Sequence, residues 1–144
     1  MSNDLHPIVA LLDRSMRRRQ ALAGSVAKAI GVTSWTISNW RNGHSIPGFA
    51  DAVAWAEQEG KALAVVDKDG NVLAVGLEIP DKFPDLRERA DMSQAELGDR
   101  LNLGRSTIGQ RERGLHEPRL GLVADHVAAL GFELVALDVK AETR

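Results

Sequence analysis

The chain has 144 residues, no cysteine and a formal net charge of −2, so it is long enough for one ordinary domain or two small ones and holds neither disulfides nor thiolate metal sites. A hydrophobic fraction of 44% with 26% charged residues is that of a folded globular protein and excludes a disordered chain. No run approaches the ~18 apolar residues of a membrane span, and the basic residues Arg17, Arg18 and Arg19 follow the apolar ones, the reverse of a secretory leader, so neither export nor membrane insertion is expected.

In chain order, a first helix is expected from about Asp4, a capping residue, with Pro7 in its first turn and Ile8, Leu11, Leu12 and Met16 on its apolar face. Ser25 to Ile30 reads as a short second helix broken by Gly31. A third, capped by Thr33 or Ser34, runs to about Arg41 and stops at Asn42-Gly43. Pro47 leads into a fourth, with Phe49, Ala52, Val53 and Ala56 inward, ending at Gly60; Trp40 and Trp55 are assigned to the core. The periodicity then changes to two β-prone runs, Ala62–Val66 and Val72–Val75, joined by a turn containing Asp69-Gly70, a hairpin signal. That turn superficially resembles the start of a calcium loop, but Val72 stands where such a loop needs glycine, which argues against it. Residues 79–84 form a Pro-punctuated linker. Beyond it come a helix over about Asp85–Ala90 and one opened by a capping box, Ser93 with Glu96. After a turn at Asn102-Leu103-Gly104 follow helices over Arg105–Arg113 and about Arg119–Leu130, then a strand, Phe132–Val139.

This order contains a repeat. At a step of 71 positions without a gap, Thr36 meets Thr107, Ile37 meets Ile108, Gly43 meets Gly114, Pro47 meets Pro118, Gly60 meets Gly131, Leu63 meets Leu134 and Asp67 meets Asp138. The shared residues fall where backbone geometry or core volume restricts the choice, which implies two copies of one supersecondary unit. The expected domains are therefore 1–78, with a C-terminal hairpin, and 85–144, with a C-terminal strand, joined by 79–84. Strands 61–67 and 132–139 hold equivalent places and are expected to pair, with 71–76 as a third strand.

Charge is better mapped than summed. From Arg14 to Ala50 there is no acidic residue, whereas Arg14, Arg17, Arg18, Arg19, Lys28 and Arg41 are basic, a distribution that favours phosphate contact over a merely solvated face. In the second copy, arginines alternate with Glu96, Asp99, Glu112 and Glu117.

Two helices in each copy, locked by Val26, Ile30, Val32 and Ile37 or by Leu97, Leu101, Leu103 and Ile108, resemble the helix-turn-helix of the phage Cro and repressor (XRE-like) family, over roughly residues 8–60 and 83–131. The resemblance implies a mainly α fold of two lambda-repressor-like helix-turn-helix domains, each followed by a small antiparallel β element. It implies a third helix presented to a DNA major groove. By that likeness Ser34, Trp35 and Asn39 in the first copy, and Arg105, Ser106 and Gln110 in the second, are the base readers. Asn39 and Gln110 suit adenine and Arg105 suits guanine. Arg17, Arg18, Arg19, Thr36, Arg41, Gln94, Thr107, Arg111 and Arg113 are the expected phosphate contacts. Trp35 has a second reading, packing against a neighbouring helix. Three departures stand out: Ala23 replaces the family's usual glutamine, Arg41 its usual glutamate, adding positive charge at the DNA face, and Arg111 its usual aromatic. Glu112 is expected to pair with Arg87 or Arg89.

No histidine pair has metal-ligand spacing, no nucleophile sits in a recognisable elbow, and Glu57 and Glu59 read as solvated acids at a helix end, so no enzyme, cofactor or metal is expected. The implied function is a sequence-specific regulator of transcription, a cytoplasmic repressor of a prokaryote or phage-infected host. The partner is operator-like double-stranded DNA, and the oligomeric alternatives are a pseudo-dimer within one chain or a homodimer through the β element. The competing function is an antitoxin-like protein that binds a protein partner such as a toxin and autoregulates its operon.

Overall fold

The computed structural model describes residues 5–139. Helix α1 (Pro7–Arg18) starts with its proline ring in the first turn, and His6 is its cap: the Ile8 N–H donates to His6 Nδ1 at 3.2 Å. The cap expected at Asp4 lies outside the described residues. Helices α2 (Ala23–Ile30), α3 (Ser34–Arg41) and α4 (Phe49–Gln58) follow, then strands β1 (Lys61–Val66) and β2 (Val72–Val75). The second half holds α5 (Phe83–Arg89), α6 (Gln94–Leu101), α7 (Arg105–Glu112), α8 (Leu120–Ala129) and β3 (Glu133–Asp138).

The step of 71 is sharper in the backbone than in the sequence. Helices α6, α7 and α8 begin and end 71 positions after α2, α3 and α4, and α5 ends 71 positions after α1. Left-handed residues recur at the same step: Gln20 and Asp91 (φ 56° and 57°), Gly31 and Asn102 (84° and 58°), Gly43 and Gly114 (77° and 69°), Gly60 and Gly131 (70° and 89°). Only the last two pairs are glycine on both sides; the short polar side chains of Asp91 and Asn102 tolerate this conformation and hide the correspondence, and Gln20 adopts it without that advantage.

The three strands form one antiparallel sheet in the order β2-β1-β3, the pairing expected. Hairpin β1–β2 turns on Asp67, whose Oδ1 accepts from the N–H groups of Asp69 and Asn71, both at 2.9 Å. Strand β1 is central and contributes buried Leu63, Ala64 and Val65. Its pairing with β3 is centred on Ala64 opposite Val135, positions 71 apart. A second cross-chain contact has the same property. Gly48 bridges Arg119, the Phe49 N–H donating to the Pro118 carbonyl (2.8 Å) and the Leu120 N–H to the Pro47 carbonyl (3.1 Å). Each contact maps onto itself when the halves are exchanged, which is the signature of a local two-fold axis.

The core is continuous across that axis. Leu12, Met16, Ile37 and Trp55 belong to one cluster with Phe83, Leu97, Ile108 and Leu120. Trp40 and Trp55 are core residues, as expected, and stack with ring centroids 5.6 Å apart, while Trp55 Nε1 donates to Met16 Sδ at 3.3 Å. The connection expected at 79–84 is folded onto this core. It follows one 3-10 turn (Gly76–Glu78) and contains a second (Pro80–Lys82), with Ile79 and Phe83 buried.

Candidate nucleic-acid interface

Each α2–α3-type corner is built the same way. Val26 and Ile37, or Leu97 and Ile108, are buried and clamp the two helices. A left-handed residue, Gly31 or Asn102, lets the chain turn. Thr33 caps α3 through its Oγ1, which accepts the Thr36 N–H at 3.1 Å, whereas α7 opens on Gly104 with no side-chain cap. The second corner is the tighter: a Cβ on Gly98 would lie 2.6 Å from the Leu103 carbonyl oxygen.

The clamp leaves one face of each third helix in solvent. On α3, Ser34, Trp35 and Ser38 are exposed, and Asn39 and Thr36 are half-buried. Trp35 is 73% exposed, so the packing reading of this residue fails. On α7, Arg105, Ser106, Gln110 and Arg113 are exposed and Thr107 is half-buried. The faces differ in character, hydroxyl and indole on one, guanidinium and amide on the other.

Several expected phosphate contacts are already engaged by acids from outside the acid-free stretch. Arg41 Nε lies 2.6 Å from Asp13 Oδ1, and Arg17 Nε 3.1 Å from Asp13 Oδ2. Arg19 forks onto Glu59, which also accepts from Ser15 at 2.7 Å. Glu59 is thus buried and paired, not the solvated acid expected. Burial works to raise its pKa, but the hydrogen bonds from Arg19 and Ser15 and the charges of Arg19 and Lys61 outweigh it, and the carboxyl is held low. Arg18 contributes, after Lys61, to holding the Asp138 carboxyl low, which puts it near β3.

In the second half the α5–α7 link has the opposite polarity. Arg87 forks onto Glu112 with Nε and Nη2 at 2.6 and 3.2 Å and donates through Nη1 to the Met92 carbonyl at 3.0 Å. Gln94 Nε2 donates to Glu112 at 3.0 Å. Arg41 and Glu112 are equivalent in the repeat, so both halves tie the first helix to the third by an ion pair with the charges exchanged. Arg87 is the partner chosen from the two expected. The capping box at Ser93 and Glu96 forms with both bonds at 3.0 Å.

Arg111 is half-buried, with Nη1 3.3 Å from His126 Nδ1, and His126 stacks on Phe83 with ring centroids 3.9 Å apart. Burial, then the charge of Arg111, lowers the His126 pKa to about 4, so the ring is neutral at pH 7. Arg111 and His126 stand where the first half has Trp40 and Trp55. His126 carried no sequence signal except that equivalence. Asp13 and Glu59 were hidden because their partners Arg41 and Arg19 lie 28 and 40 positions away in the chain.

The model of a helix-turn-helix family matches residues 85–137, so this stretch, α5 to β3, carries a helix-turn-helix domain. Neither the curated proteins nor the solved structures offer a match to the chain. No helix among the described residues is long and apolar enough to cross a membrane.

Proposed function

We propose that the chain is a sequence-specific, double-stranded-DNA-binding regulator of transcription, a repressor that carries two recognition helices, α3 and α7, on one polypeptide. The observation that carries this reading is the local two-fold relation: helices with the same bounds, each with an exposed outer face, joined by two contacts that exchange halves onto themselves. A chain of this build serves as its own dimer and meets successive half-sites about 34 Å apart on one face of a duplex. Ser34, Trp35 and Asn39 read one half-site, with Thr36 on a phosphate. Arg105, Ser106 and Gln110 read the other, with Thr107 and Arg113 on phosphates. The two sets differ, so the operator is not a palindrome.

Selection of bound fragments from random duplexes, followed by footprinting, tests this. Two unlike half-sites are expected, with affinity falling steeply as salt rises. A perfect inverted repeat overturns the pseudo-dimer, and salt-insensitive or absent binding overturns the regulator. The antitoxin-like alternative draws support from Val72, Val75 and Leu77, exposed along β2 and the turn after it. A second copy pairing on the free edge of the sheet is tested by sedimentation of the chain with and without DNA.

A further inference from the structure

A cavity of about 500 Å³ lies between α7, the connection after β2 and the start of α4. Its apolar wall is built from Phe49, Leu77, Pro80, Phe83, Pro118 and Leu122. Thr107, Gln110 and Arg111 of α7 also line it, and Asp81, His116 and Glu117 stand among its exposed lining. The size is that of a small-molecule site, ~300–1,000 Å³.

The internal repeat supplies an independent reason to take the cavity as a site. In the first half the position of Arg111 is held by Trp40, which is buried and stacked on Trp55. In the second half that indole pair is replaced by Arg111 and His126, a polar pair in an otherwise apolar layer. Arg111 meets an imidazole rather than a carboxylate, and Asp125 acts on it only through space. Burial correspondingly lowers the Arg111 pKa and outweighs the charge of Asp125, the direction expected of a desolvated cation with no carboxylate in contact. His126 Nε2 has no hydrogen-bond partner among the described residues. A half-buried guanidinium beside an apolar cavity is a receptor for an anion with an apolar body, since the anion supplies the missing charge and its body fills the void.

We propose that this cavity binds a small organic carboxylate with an aromatic or branched apolar body, the carboxylate on Arg111, and that its occupancy changes how α7 meets DNA. The second part rests on the DNA-binding reading, because Thr107 and Gln110 border the cavity and also lie on or beside the proposed reading face.

The test titrates the full chain with indole-3-acetate, phenylacetate and 4-methylvalerate, and with the corresponding neutral amides, following amide resonances by NMR. Saturable shifts at Thr107, Gln110 and Leu122 are expected with the acids. The amides are expected to bind about tenfold more weakly, and Arg111→Gln to weaken acid binding by a similar factor. Arg111→Trp restores the residue of the first half and is expected to fold normally and abolish binding. The site is overturned if none of the acids shifts these resonances saturably, if acids and amides bind alike, or if Arg111→Gln leaves affinity unchanged. With the acid bound, affinity for the selected duplex is expected to change severalfold; no change overturns the coupling. Ligand binding is read without DNA, so loss of the DNA reading and loss of the cavity reading are separately visible.

Discussion

At the scale of single residues, Arg105 and His126 stand at opposite ends of what a sequence displays. Arg105 opens α7 and is exposed, and its place in the motif alone is what proposes it as a base reader. Replacing it with alanine is expected to relax base preference at one operator position by about 1–3 kcal/mol while leaving the salt dependence nearly intact; competition between selected and single-mismatch duplexes measures this. His126 offers no such motif, and only folding against Phe83 and Arg111 gives it a role. Its ordinary pKa of 6.5 falls to about 4 in the folded chain, so the unfolded chain binds the extra proton between those values. Its contribution is therefore full above about pH 6.5 and is lost as pH falls toward 4. At about 1.4 kcal/mol for each tenfold change in acidity, the loss is roughly 3 kcal/mol. Urea unfolding across pH 4–7 is expected to show this slope in the native chain and a shallower one in His126→Phe.

At the scale of elements, the helices were readable and their linkages only in part. Periodicity and turn chemistry located α3 to within a residue at its start and closely at its end, because Thr33 and the Asn42-Gly43 stop are local signals. The ion pair Asp13–Arg41 spans 28 positions and has no local pattern to announce it, whereas Glu112, 25 positions from Arg87, was expected to meet either Arg87 or Arg89 and the fold selects the first. The acid-free stretch therefore overstated the positive charge available to a phosphate backbone, since Asp13 and Glu59 fold back on Arg17, Arg41 and Arg19. Close approach is equally invisible from composition. Ala27 and Gly98 are equivalent, yet only the second packs against a carbonyl at a distance that excludes a methyl group. Gly98→Ala gains helix propensity of ~1 kcal/mol but forces the Leu103 backbone to move, so a net loss of about 1–2 kcal/mol is expected. A lowered melting temperature checks it. An unchanged or raised value shows that the turn relaxes freely.

At the scale of the whole molecule, one feature of the organisation was legible and another was not. The repeat and the strand pairing were anticipated from Gly60, Gly131, Leu63 and Leu134 standing in register. The burial of Ile79 and Phe83 was not, because a Pro-punctuated segment reads as linker whether or not it docks. With β1 shared between two neighbours and one contiguous core, the halves are expected to unfold together. Calorimetry should give a single transition whose calorimetric and van't Hoff enthalpies agree. Two resolved transitions would mean that the halves are thermodynamically separate.

The unbroken backbone between Val75 and Phe83 has a consequence for dose response. A repressor assembled from separate subunits must first associate, so its operator fills sigmoidally as expression rises through the dimerisation constant. In the proposed reading the second head arrives tethered to the first, at an effective concentration fixed by the fold and not by the cell. Occupancy of the proposed operator is then expected to follow a plain hyperbola in chain concentration, with repression beginning at the first few copies synthesised.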